Sequence, residues 1–393
     1  MKSKVIAISI FFISKIIANN WAEETLQKLS LKEKVGQLFM VATASDFNQK
    51  EEALATRMFH CPYKMEHEHI EHLIREYGIG GIIFLYKSTV PKQIKLMNHL
   101  KNLTKVPLLF GQDCEWGLSM RLYDTEEFPK NIELGKIDNP ELTYKIGKEI
   151  GRQCREIGLH INFAPVADVN TNPNNIVIGK RSFGSNKELV TKHSVAIMCG
   201  MQDSGLLTCA KHFPGHGDTS TDSHLGLPIL EHTKERIQNI ELYPFKKLVE
   251  AGVDAIMTAH IALPQLDPSG ISATLSKKLL NLKNEIGFNG LMITDGLGMQ
   301  ALTKHFQPGE IELEALLAGN DILLCPLDVP KAVALILQAI KDGKISEEEI
   351  NQKVLKILKA KQRFLNERPI DAAAAVASIN KPNGLKERIA KRI

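Results

Sequence analysis

The stretch KHFPGHGDTSTDSHLGLP, from Lys211 to Pro228, places three histidines and two aspartates among glycines and prolines. This composition is too irregular for the interior of a helix or strand, so it predicts a loop. Within the loop Asp222 and His224 are two residues apart, and such residues face the same side of an extended segment. The carboxylate can bond one ring nitrogen of His224 and leave the other free to give and take a proton. A histidine with a purely structural role in a glycine-rich turn is the alternative.

Asp295 lies in LMITDGLGM, directly after an apolar run and before a glycine. Glycine lets backbone and ligand approach closely, so this placement suits a nucleophile. Aspartate is also a preferred N-cap of helices, and position alone does not separate the two interpretations.

His212 and His216 could instead bind a metal ion together with Asp295, as in metal-dependent hydrolases. The proline and glycine between the two histidines argue against a helix, so their spacing does not place them on one face. The first apolar run holds no histidine and the chain has no CxxC pair, so we expect neither a metal nor another cofactor. A further group of histidines is interpreted as a solvated helix face: His67, His69 and His72.

Eight short apolar runs recur along the chain, separated by segments of helical periodicity. They are VGQLFMVA, GIGGIIFL, PLLFGQD, HINFAPVADVN, TCAKHFPG, AIMTAHIAL, LMITDG and DILLCP. Continuous apolar strands alternating with helices predict a parallel sheet buried on both faces, and this repeat fits an α/β fold of the (β/α)8 TIM-barrel type. A doubly wound fold is the alternative, but no G-x-G-x-x-G follows the first run. Ser30 and Glu33 have the spacing of a capping box, which predicts a helix start there.

Charged and imidazole side chains stand where several of these strands end. In a (β/α)8 barrel the strand ends converge on one rim, which is where such barrels carry out chemistry. Polar side chains grouped there cost free energy unless a polar ligand meets them, so a site is predicted at this rim. The residues are Asp113 and Glu115, Asp168 and Asn170, Lys211 and His212, His260, and Asp295.

The two ends of the chain differ from its body. The start, MKSKVIAISIFFISKIIANNWAEE, has lysines before an apolar run and then small residues, which predicts a signal peptide over 1–22 and a periplasmic or secreted protein. An uncleaved apolar leader and a cytoplasmic location are the alternatives. We expect one catalytic domain over 23–370 and a basic C-terminal tail over 371–393 that frays.

The composition limits the possible partners. The 393 residues are 44% apolar and 24% charged, with 49 basic and 45 acidic residues and a net charge of +4. No basic block interrupts the body of the chain, so a nucleic-acid partner is not expected. No later run is long enough to span a membrane, and we expect a monomer. Cys114, Cys209 and Cys325 lie in or beside apolar runs and are predicted to be buried free thiols.

KHFPGHGDTSTDSH resembles the signature loop of bacterial β-N-acetylhexosaminidases of glycoside hydrolase family 3, which reads K-H-F-P-G-H-G, a spacer, and D-[ST]-H. The resemblance extends from SLKEKVGQLFMV, near residue 30, to about residue 365. GQDCEWGLSMR resembles the D-x-E-G-G-x-V-x-R segment of the family, and FAPVADVN and IGKRSFG are also similar to family segments. Two positions depart from the pattern: Trp116 replaces a glycine, and Gly296 follows Asp295 where the family has aspartate or alanine.

The resemblance implies a retaining exo-β-N-acetylglucosaminidase that acts on peptidoglycan fragments or chitooligosaccharides through a covalent glycosyl-enzyme. It implies Asp295 as the nucleophile, His224 as the acid/base and Asp222 as the partner of His224. It also implies a set of sugar-binding residues: Asp113, Arg121, Arg181, Lys211 and His212. Two other functions remain open, a family 3 β-glycosidase with another sugar preference and a catalytically silent protein that binds wall sugars.

Overall fold

The computed structural model describes residues 20–46, 67–221, 226–381 and 384–385. A sheet of 8 parallel strands forms the centre, and a bridge between Ile293 and Ile322 joins its last two strands and closes it into a barrel. The predicted (β/α)8 barrel is confirmed, and each strand overlaps one of the apolar runs. The strands are β1 (Phe39–Thr43), β2 (Gly81–Phe84), β3 (Leu109–Gln112), β4 (Ile161–Asn162), β5 (Leu207–Phe213), β6 (Ala255–Thr258), β7 (Leu291–Thr294) and β8 (Leu323–Leu324).

Every residue of these strands is buried. Burial on both faces explains why the runs are continuously apolar, because one face of each strand packs inside the barrel and the other packs against helices. Each strand pairs with its sequence neighbour, and β1 also pairs with β8.

The helices surround this barrel, and a helical segment at 20–28 precedes them. The helices are α1 (Leu31–Gly36), α2 (His67–Tyr77), α3 (Val90–Lys101), α4 (Asn131–Ile137), α5 (Pro140–Glu156), α6 (Lys187–Asp203), α7 (Lys234–Arg236), α8 (Leu242–Glu250), α9 (Lys277–Leu280), α10 (Leu282–Glu285), α11 (Gln300–Thr303), α12 (Glu310–Ala318), α13 (Val329–Lys341), α14 (Glu347–Gln362) and α15 (Ala372–Ile379). A π-helical turn at Ile237–Glu241 joins α7 to α8, and short 3₁₀ turns occur at Leu118–Met120, Gly179–Arg181 and Ala273–Leu275.

Two details predicted from the sequence can be checked in these helices. Ser30 and Glu33 form the predicted capping box at the start of α1, with the Ser30 amide donating to the Glu33 carboxylate at 2.9 Å. Helix α2 buries Ile70, Leu73 and Ile74. The predicted solvated histidine face is only partly exposed: His72 is exposed, but His67 and His69 are half-buried, and Nε2 of His67 lies 3.0 Å from the Ala44 carbonyl oxygen.

The C-terminal segment differs from the frayed tail that the sequence predicts there. Asp371 caps α15 by accepting hydrogen bonds from the amides of Ala373 and Ala374. Ala375 and Ile379 are buried as α15 packs on α3 and α5. The alanine run therefore acts as a good helix former with a docked face. Residues 382–383 and 386–393 lie outside the described residues.

The predicted burial of these thiols is confirmed, since Cys114, Cys209 and Cys325 are all buried. Within the part of the chain that the structure describes, no helix is both long and apolar enough to cross a membrane. Most of the predicted signal peptide, residues 1–19, lies outside the described residues.

Candidate active site

A cavity of about 530 Å³ opens where the strands end. Seven of the residues predicted for the site line it: Asp113, Glu115, Arg121, Arg181, Lys211, His212 and Asp295. Asp222 and His224 lie outside the described residues, so their placement stays a prediction. A larger cavity of about 1070 Å³ lies between α5 and α15, but none of the predicted site residues lines it.

Five charged side chains form a network at the base of the smaller cavity. Lys211 Nζ lies 2.8 Å from Asp113 Oδ1 and 2.8 Å from Glu115 Oε1. Arg121 Nη2 donates to Asp113 Oδ2 at 2.7 Å. Arg181 donates to the Glu115 carboxylate through Nε at 3.0 Å and Nη2 at 2.7 Å. Each carboxylate thus has two cationic partners, which fix its position before any ligand binds.

These contacts keep the buried groups ionised. Burial by itself raises the pKa of Glu115, but Arg181 and Lys211 outweigh it and lower that pKa to about 2. The pKa of Asp113 is lowered in the same way, with Lys211 and Arg121 overcoming the effect of burial. Burial also opposes the charge of Lys211, yet the two carboxylates raise its pKa. At neutral pH the cavity therefore holds fixed charges of both signs, which suit a polar ligand that carries both hydrogen-bond donors and acceptors.

His212 is held in one tautomer. Its Nε2 lies 3.2 Å from Arg181 Nη2, and a guanidinium nitrogen can only donate. The ring proton is therefore on Nδ1, which donates to Asp168 Oδ2 at 2.7 Å. Asp168 is fully buried behind the cavity, and its Oδ1 accepts from the backbone amides of His212 at 3.2 Å and His216 at 2.7 Å.

The loop that follows β5 needs glycine at two positions. A Cβ on Gly217 would lie 1.9 Å from the Val169 carbonyl oxygen. Gly215 has a φ of +134°, and a Cβ there would lie 2.6 Å from Cβ of Glu241. The loop is thus pressed against the segment after β4 and the π-helical turn, which explains the glycines in KHFPGHG.

His216, which was predicted from the sequence only as a possible metal ligand, also lines the cavity. Its Nδ1 lies 2.7 Å from Thr219 Oγ1. Burial, together with the nearby His212, lowers the pKa of His216 to about 4. The ring is therefore neutral at pH 7. No group of three or more histidine, cysteine or acidic side chains in the described ranges is placed to hold a metal ion.

Asp295 stands directly after β7, half-buried in the wall of the cavity. Its Oδ1 accepts from the amide of Gly296 at 2.7 Å, and its own amide donates to the Thr258 carbonyl at 3.0 Å. The next helix, α11, begins at Gln300 with Met299 as its N-cap. The helix-cap interpretation of Asp295 is therefore wrong.

Other rim residues have supporting positions. His260 is buried behind the turn after β7, with Nε2 2.9 Å from the Gly296 carbonyl, and it does not line the cavity. Asn170 and Trp116 are not in the lining either, and Lys130 Nζ lies 5.1 Å from the centre of a Trp116 ring. Lys87 and Tyr123 also line the cavity, and neither was predicted from the sequence. The proximity of Tyr123 to Arg121, two residues earlier, is the signal that could have identified it.

A family model described as the glycosyl hydrolase family 3 N-terminal domain matches residues 30–360. The chain belongs to glycosyl hydrolase family 3. Among family 3 relatives, it is 32% identical over 329 residues to Beta-hexosaminidase A of Pseudoalteromonas piscicida, covering 75% of this chain and 55% of that protein. It is 34% identical over 259 residues to the Beta-hexosaminidase of Thiobacillus denitrificans, covering 63% of this chain and 71% of that protein.

The family 3 fold is also found in similar solved structures. A glycoside hydrolase family 3 β-N-acetylglucosaminidase from Paenibacillus superposes with a TM-score of 0.77 at 34% identity, covering 93% of this chain and 69% of that one. The match spans only 55% and 59% of the lengths of two of the curated relatives, from Pseudoalteromonas piscicida and Cellulomonas fimi.

Proposed function

We propose that this family 3 chain is a retaining exo-β-N-acetylglucosaminidase that removes terminal N-acetylglucosamine from peptidoglycan fragments or chitooligosaccharides. The observation that carries the proposal is that the Asp295 carboxylate shares one cavity with the charged network of Asp113, Glu115, Arg121, Arg181 and Lys211. The names of the relatives, β-hexosaminidase and β-N-acetylglucosaminidase, support the choice of sugar.

Asp295 acts as the nucleophile in this proposal. Its carboxylate attacks the anomeric carbon, the glycosidic bond breaks, and a covalent glycosyl ester forms. The Gly296 amide, which donates to Oδ1, fixes the rotation of the carboxylate.

His224 supplies the proton to the leaving oxygen and Asp222 orients its ring, as the family resemblance implies. In the second step the same imidazole takes a proton from water, whose oxygen attacks the anomeric carbon, and the bond from that carbon to Asp295 breaks. The carboxylate is regenerated and the product has net retention. Asp113, Arg121, Arg181, Lys211 and His212 bind the hydroxyls of the terminal sugar. Because Asp113 and Glu115 are ionised, they accept hydrogen bonds from the sugar hydroxyls, while the cationic side chains donate hydrogen bonds to the hydroxyl oxygens.

The test compares p-nitrophenyl glycosides of N-acetylglucosamine and glucose. We expect kcat/KM to favour the acetamido sugar and NMR to show the β-anomer of the product first. Faster release from the glucoside would favour a family 3 β-glycosidase of another preference, and initial formation of the α-anomer would reject retention. Binding of N-acetylglucosamine without hydrolysis would favour the silent wall-sugar-binding protein.

The role of His224 has its own test. His224→Ala should slow the first step most for substrates with poor leaving groups, because a nitrophenolate leaves without protonation. Equal slowing of activated and unactivated substrates would reject His224 as the acid. Exhaustive treatment with a chelator should leave the activity intact, and restoration by zinc after loss would support the metal-dependent alternative.

The leader suggests a periplasmic or secreted location for this enzyme, where peptidoglycan fragments are accessible. Mass determination of the mature N-terminus in the native host tests this. A chain that begins near residue 23 is expected, and an intact Met1 in a soluble cell extract would favour the cytoplasmic alternative.

A further inference from the structure

One short segment connects the base of the cavity to its outer edge. Arg121 is bound to Asp113 at the base, Leu122 is fully buried, and Tyr123 is 63% exposed. Arg121 and Tyr123 both line the cavity. In the proposed function the terminal sugar occupies the base of the cavity. The leaving sugar must then lie towards the outer edge of the cavity, where Tyr123 is.

Lys87 is held beside this tyrosine by the backbone. The Ser88 amide donates to the Arg121 carbonyl at 2.9 Å, and the Tyr123 amide donates to the Ser88 carbonyl at 2.9 Å. Lys87 immediately precedes this two-way link, and its Nζ lies 5.4 Å from the centre of the Tyr123 ring. The ammonium and the aromatic ring are thus placed together before any ligand binds, which reduces the entropy cost of binding.

The charge of Lys87 sets it apart within the lining. Arg121, Arg181 and Lys211 are each paired with Asp113 or Glu115. Among the residues that the structure describes, no carboxylate lies within ion-pair distance of Lys87, which is exposed at the cavity edge. An exposed ammonium next to an exposed aromatic ring matches a sugar that carries a carboxylate.

We propose that Lys87 and Tyr123 form the subsite for the leaving sugar and select an acidic one, with Tyr123 stacking on the sugar ring and Lys87 binding its carboxylate. This inference rests on the proposed function, and it favours peptidoglycan-type substrates over chitin-type ones.

The test uses two disaccharides that differ by one acidic group. N-acetylglucosamine is β-1,4-linked to N-acetylmuramic acid in the first and to N-acetylglucosamine in the second, so only the lactyl ether group, which carries the carboxylate, distinguishes them. The wild-type enzyme should prefer the acidic disaccharide in kcat/KM, and the preference should weaken as salt is added. In Lys87→Met the ratio of the two values should fall about three- to fivefold, as expected for one exposed ionic contact.

Matched variants separate the charge from the ring. Lys87→Arg should restore most of the acidic preference. Lys95→Met removes an exposed lysine on α3 that does not line the cavity, and it should keep the wild-type ratio. Tyr123→Ala should raise KM for both disaccharides about fivefold through loss of stacking, and Tyr123→Phe should recover most of that loss.

Two outcomes would overturn the inference. If the enzyme hydrolyses p-nitrophenyl N-acetylglucosaminide but the acidic preference is absent or unchanged in Lys87→Met, the subsite assignment is wrong while the proposed function stands. If the enzyme hydrolyses none of the three substrates, the proposed function is wrong and this inference with it.

Discussion

Nδ1 of His212 lies 2.7 Å from Oδ2 of Asp168, and this contact orients a ring that lines the cavity of about 530 Å³. Asp168 does not line the cavity itself. Its carboxylate accepts hydrogen bonds from the ring N–H of His212 and from the backbone amides of His212 and His216. Burial raises the pKa of Asp168, but interactions with His212 and His216 outweigh burial and lower it, so the group stays anionic.

Replacing Asp168 by Asn should therefore disturb the tautomer of His212. The amide has one acceptor oxygen, so its NH2 group would face Nδ1 if the oxygen keeps the backbone amides. The ring proton would then move to Nε2, where it opposes the N–H of Arg181. We expect kcat/KM to fall by up to about a hundredfold and the free energy of unfolding to fall by about 1–3 kcal/mol.

Urea unfolding and steady-state kinetics measure these two effects of Asp168→Asn. Asp342→Asn, at the end of α13, is the surface control. Wild-type KM and stability in Asp168→Asn would show that the hydrogen-bond chain from Asp168 to Arg181 does not matter.

His216 should make the protein less stable as the pH falls below neutrality. Its pKa is about 4 in the folded protein against an ordinary 6.5. Between these values the unfolded chain takes up a proton that the folded protein excludes, so the free energy of unfolding decreases as pH is lowered from 6.5 to 4. His216→Gln should remove up to about 3 kcal/mol of that decrease.

Unfolding curves at several pH values between 7 and 4 test the effect, with His72→Gln on α2 as the control for loss of one imidazole. If the free energy of unfolding depended equally on pH in wild type and His216→Gln, the interpretation of His216 as a buried neutral ring would be wrong.

Glu367 should stabilise the end of the barrel opposite the cavity. Lys101, Arg155 and His160 all contact its carboxylate. Burial opposes its charge, but His160 and Arg155 lower its pKa from 4.5 to about 2. Its contribution to stability is therefore fully present above pH 4.5 and is lost as the pH falls towards 2.

Glu367→Gln should cost about 1–3 kcal/mol at pH 7, with much less difference from wild type at pH 2.5. Thermal or urea unfolding at both pH values measures this. The exposed Glu347, paired with Lys34, is the control, and Glu347→Gln should cost less than about 1 kcal/mol. A loss of turnover in Glu367→Gln with unchanged stability would show that the cluster serves the active site instead.

The sequence predicts the barrel and part of the site because both have local signals. Buried parallel strands must be continuously apolar, and Asp113, Lys211 and Asp295 stand at the ends of such runs. The pairing of Lys211 with Asp113 bridges 98 residues, so the family resemblance could suggest both residues but spacing could not show their contact. Lys87 and Tyr123 lie on loops whose course depends on a backbone link between distant segments.

Other differences arise where a local preference has two outcomes. Alanine-rich segments form helices readily but dock only if a partner face exists, which α3 and α5 provide for α15. An aspartate before a glycine can cap a helix or face a cavity, and only the position of α11 decides for Asp295. Asp222 and His224 remain predictions from the sequence.

Asp295→Asn provides the decisive test of the nucleophile. The carboxamide oxygen can still accept from the Gly296 amide, so folding should survive at a cost of no more than about 1 kcal/mol. The chemistry should not survive, because a neutral amide cannot form the glycosyl ester or stabilise the positively charged transition state. We expect the rate to fall by at least about a thousandfold.

A 2-acetamido-5-fluoro glycoside that traps the covalent intermediate should label the wild-type protein once, on the peptide that contains LMITDGLGM, and should leave Asp295→Asn unlabelled. Circular dichroism and the unfolding midpoint confirm that the variant is folded, so loss of label cannot be attributed to misfolding. A label on Asp113 or Asp168 would reject Asp295 as nucleophile while leaving the glycosidase proposal intact. Near-normal turnover in Asp295→Asn would reduce Asp295 to a residue that only shapes the turn after β7, since the geometry already excludes a helix cap.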